Sequence, residues 1–535
     1  MGRISILARR QRLKNLEIWA VRAVLAETFF LAIFPSVAAV AVVLGTVVWF
    51  LRLQVDAQFK LRSLPFDVPI MLFVLLSAVS VFNSPARNAE LVYNFFSLIG
   101  IFVMTYLLVG QNIRTVEQVK FFVKALSASA LIVVLGGFFQ YVFGIDVAEI
   151  TWIDAEAFPE MRKRVFSTME NPNVLAGFLN VAICIALGLF AKVSDGRIRF
   201  LAAASVVMAA ACLLMTYSSG GLVTLLVILG VYGLIADWRF LILMAASASF
   251  LLYNDAEKIL SLFTTTADMT GELRSGIWVG AIAMISDHPF AGIGFGAFEA
   301  VYPQYSHYAA EAVTVQHAHN LFLNVAAEIG IAGALAFCWY FFGTMVTALV
   351  LSSNERYAKI KTAAAETARR AADSKFNKKL AEIIVTSKFL QELAQIKAMF
   401  LTRLSEFSNG VLDKIFPAKA EKKSGGAKKD PNLVHHEEMK WGKKAGGKKS
   451  DDDDKMDLQK FAEDFDEEEL DWREWKALRD SQIISGIRLG AGLAFLSIAL
   501  NGMGDDLLSD VPSALLMWQL GALSAAVNLI DEEQG

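Results

Sequence analysis

VQHAHNLFLNVAAEIGIAGALAFCWYFFGTMVTALVL, residues 315–351, decides how this chain is read. From Leu321 onward it is an almost unbroken apolar run, with His317, His319 and Asn320 at its mouth. A helix of about 20 apolar residues crosses a hydrocarbon core about 30 Å thick, and this run is long enough to do so. Before it lies a polar interval, 254–318, that carries Arg274, His288-Pro289, Gly292, Gly294 and Gly296, and another apolar run precedes that interval. An arginine or imidazole at mid-membrane costs about 2.5 kcal/mol or more. A polar stretch of this length between two spans therefore lies outside the hydrocarbon, and ionisable side chains that converge there mark where chemistry would happen.

Composition agrees with a membrane protein. Apolar residues make up 55% and charged residues 19%, against about 45–50% and 25% in soluble domains. The mean hydropathy of +0.47 averages very unequal parts, because a charged block at 353–480 lowers it. Cys184, Cys212 and Cys338 sit in apolar runs, where a thiol acts as a small hydrophobe and indicates no disulfide framework. The net charge of -3 sums opposing blocks and identifies no partner.

The expected fold is all-α and polytopic, with about twelve transmembrane helices. Candidate spans are 18–34, 36–52, 67–83, 92–110, 122–143, 173–192, 199–217, 221–237, 239–254, 320–352, 482–502 and 511–530. Pro35 divides the first long run. Without an amide hydrogen it either separates two helices, the preferred reading, or kinks one. The first run is too long for a cleavable signal peptide and no small-residue cleavage site follows it. Lysine and arginine bias sets orientation. Arg3, Arg9, Arg10, Arg12 and Lys14 place the N-terminus in the cytoplasm, and the later basic segments agree, so both termini are expected there. The outer face then receives 144–172, the turn at Ser218-Ser219-Gly220, and the 254–318 loop. Arg162-Lys163-Arg164 runs against this trend. It reads either as an anion-binding cluster or as a partner for Asp154, Glu156 and Glu160.

Four features thus face one side: Arg162-Lys163-Arg164 with Asn171-Pro172-Asn173, the Ser218-Ser219-Gly220-Gly221 turn, Arg274 with Trp278, and His319-Asn320. Asn171 to Gly177, Arg274-Ser275-Gly276-Ile277-Trp278, Asp287 to Gly294, His317 to Asn324 and Glu328 to Gly333 resemble, in order, the O-antigen ligase / O-antigen polymerase superfamily. The resemblance spans about 20–352 and 482–530. It implies a glycosyltransferase at the outer face of the bacterial inner membrane. Such an enzyme moves a glycan from undecaprenyl diphosphate to a hydroxyl of lipid A-core or another glycan, with neither metal nor cofactor. Arginine suits the departing diphosphate, since its planar fork pairs phosphate oxygens two at a time. Arg274 is the first choice, with Arg162, Lys163 or Arg164 second. Imidazole is poised to take the acceptor proton near neutral pH, which points to His319. Asn320 is expected to fix its tautomer, Trp278 and Ser219 to contact substrate, and His317 to be a neighbour. The superfamily commonly has an arginine where this chain has Ser219, which shifts that task towards Arg162, Lys163 or Arg164. The Gly292, Gly294, Gly296 spacing follows no strand of a βαβ unit, so it is read as a turn, with neither nucleotide nor nucleic acid as a partner.

The chain divides into a first membrane part, 1–352, the charged cytoplasmic insertion, 353–480, and a second membrane part, 481–535. Within the insertion Val385, Phe389, Leu393, Ile396, Phe400, Leu404 and Phe407 recur at helical spacing, as a surface or partner-docking helix would. Residues 418–449 are Lys/Gly-rich and expected to be disordered. His435-His436-Glu437-Glu438 reads as a solvated loop. Asp451–Asp454 with Lys455 matches an engineered protease site as well as a native acidic run. Three functions compete: ligase, polysaccharide polymerase, and transporter of lipid-linked glycans. A transporter is expected to place ionisable groups along a mid-membrane path, where Glu27 and Arg488 are the main candidates.

Overall fold

The computed structural model describes residues 2–56, 59–144, 164–242, 244–246, 249, 268–305, 315–352, 451–504, 508 and 510–534. Among these the regular elements are all helical. They are α1 (Gly2–Phe30), α2 (Pro35–Val55), α3 (Asp67–Asn83), α4 (Ala89–Asn94), α5 (Gly100–Asn112), α6 (Val116–Phe143), α7 (Pro172–Lys192), α8 (Gly196–Met215), α9 (Ser219–Ile235), α10 (Asp268–Asp287), α11 (Phe298–Val301), α12 (Leu321–Leu351), α13 (Asp451–Gly502) and α14 (Val511–Gln534). A π-helical turn, Phe95–Ile99, joins α4 to α5.

Eight stretches are long and apolar enough to cross a membrane, and Asp67–Asn83 and Ser219–Ile235 are apolar but shorter. The expected twelve included 18–34, most of which falls in the charged α1, and 239–254, half of which lies outside the described residues. Arg162, Lys163 and the insertion up to residue 450, with its periodic segment and His435-His436, also lie outside them. Contacts divide the chain into Met1–Phe400 with Ser481–Gly535, and Leu401–Asp480. Asp451 to Lys455 forms the start of α13.

At Pro35 the structure has a helical hairpin. Proline occupies the first helical position of α2, where its missing amide hydrogen would have no partner in any case. Gly45 lets α2 lie against α1, since a Cβ there would stand 2.6 Å from that of Ala23. The centre of the bundle is built around Trp518 of α14, which stacks on Tyr340 of α12 at 4.7 Å and on Phe102 of α5 at 5.9 Å. The apolar windows of α13 and α14 are 83% and 89% buried, against 22% for α8, so the last two helices are central rather than appended. Gly188 of α7 faces Gly486 and Gly490 of α13 so closely that a Cβ on Gly188 would collide with the Gly486 carbonyl.

The end of the bundle away from His319 is basic. Arg52 is buried, lies 3.4 Å from Glu17 and stacks on Phe59, and Arg114 stacks on the same ring. Arg488 donates to Asn528 and Asp531, both at 2.9 Å. Glu27, fully buried, accepts from Thr105 at 2.9 Å. Each of these two groups bonds across to another helix.

α12 is broken at Gly330, whose φ of 81° and ψ of 172° are not helical. The loop after α10 fills the break. Ile293 and Gly294 donate their amides to the carbonyls of Ala327 and Glu328, and Ile331 donates to Pro289, each at 2.9 Å. Side chains on Gly292 or Gly330 would run into the opposite backbone, and both have positive φ. The Asp287–Gly294 and Glu328–Gly333 motifs are therefore two halves of one lock. Residues 331–351 alone span about 30 Å at 1.5 Å per residue, which is enough to cross a bilayer core. The part of α12 before Gly330 extends beyond it towards His319.

Candidate active site

The segment 164–171 is sewn to the bundle along its length. Val165 donates its amide to Met215 O. The Phe166 and Ser167 amides both bond Gln140 Oε1, Ser167 Oγ donates to Val133 O, and Thr168 Oγ1 donates to Ala32 O. This brings Arg164 to the turn before α9. Its Nε donates to Thr216 O and its Nη2 to Asn173 Oδ1, both at 2.8 Å. Burial pushes the guanidinium down to about 10, so it stays charged at neutral pH. Asn173 Oδ1 also accepts from Ser218 Oγ at 3.0 Å. Ser218, not Ser219, caps α9 by accepting from the Gly221 amide. Ser219 is the first residue of the helix and is partly exposed.

One turn further along α9, Thr224 donates to Asn501 Oδ1 near the end of α13. The turn that follows Asn501 holds two more of the expected residues. Asn320 Nδ2 donates to Met503 O at 3.4 Å. Gly504 lies beside Arg274, where a Cβ would be 3.7 Å from Nη1. Trp278 follows Arg274 by one turn on the same helix face, and its indole N–H is buried with no acceptor among the described residues. Arg164 and Arg274 thus stand on either side of a polar seam made by the start of α9 and the end of α13. Among the described residues neither pairs with a carboxylate.

Asn320 has a structural task at the start of α12. Its Oδ1 accepts from the Phe322 and Leu323 amides as the N-cap of α12, which satisfies donors that a helix start otherwise leaves open. His317 contacts His319 directly: its Nδ1 accepts the His319 backbone amide at 3.2 Å, and the rings meet edge to face at 4.2 Å. His319 itself has φ 46°.

Among the described residues the positive-φ positions other than glycine are Ser167, Glu170, Tyr217 and His319. All four lie in the connecting segments at this end. Such conformations cost about 1–3 kcal/mol each and gather at functional sites. The starts of α7, α9 and α12 also open here, and helix N-termini carry partial positive charge.

Sequence reasoning did not assign Asn173, Ser218 or Asn501. Asn173 stood inside a quoted motif, whereas Asn501 carried no local signal. No curated protein matches this chain. Residues 204–338 match the family model described as O-Antigen ligase; the match begins after the Asn171–Gly177 motif and includes α9, α10, Arg274 and His319. Over that segment the chain is similar to the O-antigen ligase family, which supports the likeness to the O-antigen ligase / O-antigen polymerase superfamily.

Proposed function

We propose that this protein is a ligase-type glycosyltransferase of the bacterial inner membrane, with its site on the extracytoplasmic face. It takes a glycan from undecaprenyl diphosphate and transfers it to a hydroxyl of lipid A-core or another glycan. The observation that carries this reading is the pair of guanidinium groups, Arg164 and Arg274, held at one polar seam without carboxylate partners among the described residues. A charge taken out of water is costly unless paired, and an incoming diphosphate supplies the pairing. Arg164 reaches the very turn where the superfamily commonly has an arginine and this chain has Ser219, which supports Arg164 as the substitute.

The acceptor oxygen attacks the anomeric carbon while the carbon–oxygen bond to the diphosphate breaks. The diphosphate leaves with the electron pair, and the two arginines balance its charge. His319 takes the acceptor proton, its backbone anchored by His317 Nδ1. Charge stabilisation comes from arginine, so the step requires no metal or cofactor. The remaining partner is the bilayer; a cytoplasmic protein docked on 353–480 concerns a segment of which 353–450 lie outside the described residues.

The test is transfer by the purified protein in nanodiscs with a lipid-linked donor. Arg274→Ala should abolish transfer without loss of expression, and Arg274→Lys should recover little, because an ammonium cannot form the two-pronged contact. Full activity in Arg274→Ala would remove it from the mechanism. A deletion strain separates the second reading, polymerase, which needs the same donor site. Unattached lipid-linked polymer marks a ligase, and single-repeat intermediates a polymerase.

A further inference from the structure

We propose that Asn173 is a positioning residue that holds the Arg164 guanidinium by a neutral oxygen, so that its whole charge remains available to a lipid-linked diphosphate. The proposal rests on the reading of Arg164 as a diphosphate-binding group.

Arginines taken out of water usually pair with carboxylates. Arg164 is held by a backbone carbonyl, Thr216 O, and by the amide oxygen of Asn173, both at 2.8 Å. Both neighbours of that side-chain oxygen are donors, Arg164 Nη2 and Ser218 Oγ, so the network fixes which end of the amide points inward. The Asn173 backbone N–H is itself tied to Asn171 Oδ1 at 2.8 Å. Asn173 therefore joins the start of α7, the turn before α9 and the 164–171 segment.

Aspartate has the same shape and would accept the same two bonds, and the bond from arginine would be stronger with charge on both sides. For stability alone, aspartate would serve better. It would also cancel the guanidinium, while asparagine keeps the geometry and leaves the charge. A guanidinium has five N–H donors, and Nε and Nη2 each spend one here. Nη1 has no acceptor among the described residues and is the edge left for phosphate oxygens.

The experiment measures binding of undecaprenyl diphosphate, with undecaprenol as the neutral control, to the full chain in nanodiscs, together with thermal unfolding. Asn173→Asp should unfold at or above the wild-type temperature. It should lose roughly tenfold or more in affinity for the diphosphate, with undecaprenol unchanged and the salt dependence flattened. Wild-type diphosphate affinity in a folded Asn173→Asp protein would overturn the proposal. If that variant does not fold, Asn173→Ala decides: removing the neutral acceptor should weaken diphosphate binding with undecaprenol unchanged, and wild-type diphosphate affinity there would overturn the proposal. Arg164→Ala separates the two readings. Weakened binding there with full binding in Asn173→Asp sinks only the role of Asn173, whereas wild-type binding in Arg164→Ala sinks the Arg164 reading on which it rests.

Discussion

His317 and His319 differ by two positions and by role. His319 is held at φ 46° with its amide bonded to His317 Nδ1, so the first ring shapes the backbone that aims the second. His319→Ala should lower turnover by about 10²–10⁴-fold, the usual contribution of a general base, with donor binding little changed. His317→Ala should cost less and act on turnover through the same loop. Turnover measured beside donor affinity checks both, and near-wild-type turnover in His319→Ala would rule out the base. Arg274 and His319 could be singled out in the sequence because each stands in a motif beside an apolar span, with an interfacial anchor as the bland alternative for both. The choice between Ser218 and Ser219 was not, because the phase at which α9 begins decides which hydroxyl faces Asn173.

The decisive element is α12. As a sequence it reads as one overlong span, yet Gly330 breaks it and the Gly292–Gly294 turn locks into the gap. Glycine is required on both sides, because each backbone passes through the space a Cβ would fill. Gly330→Ala, forced into φ 81°, should destabilise the fold by about 1–3 kcal/mol and displace the His319 end of the helix. Thermal unfolding in detergent together with the transfer assay tests this, and an unchanged melting temperature with full activity would show that the lock is dispensable. The glycine ladder was legible as a turn. Its partner was not, because the carbonyls it bonds belong to residues that look helical.

Across the whole molecule, the apolar part of α13 and all of α14 follow the insertion in sequence but form much of the core. Asn501 closes the seam beside α9, and Gly486 and Gly490 pack directly on α7. These contacts predict that the two membrane parts assemble without a continuous insertion. Residues 1–352 and 476–535, expressed as two chains in one cell, should copurify and restore transfer. Failure to associate would mean that the connecting segment guides assembly. A bulky residue at Gly188 should block association even when both pieces are made.

Apolar run lengths were enough to determine an all-helical membrane bundle, and the types of a few ionisable residues were enough to propose a site. Those are properties of short stretches, set by the cost of placing polar groups in hydrocarbon. Only the tertiary structure decided that Asn173 holds Arg164, that Asn320 caps α12 while His317 supports His319, and that Asn501 from the far side of the insertion completes the seam. Those contacts join residues up to 277 positions apart. Close packing and hydrogen-bond direction choose such pairs, and neither leaves a periodic mark along the chain.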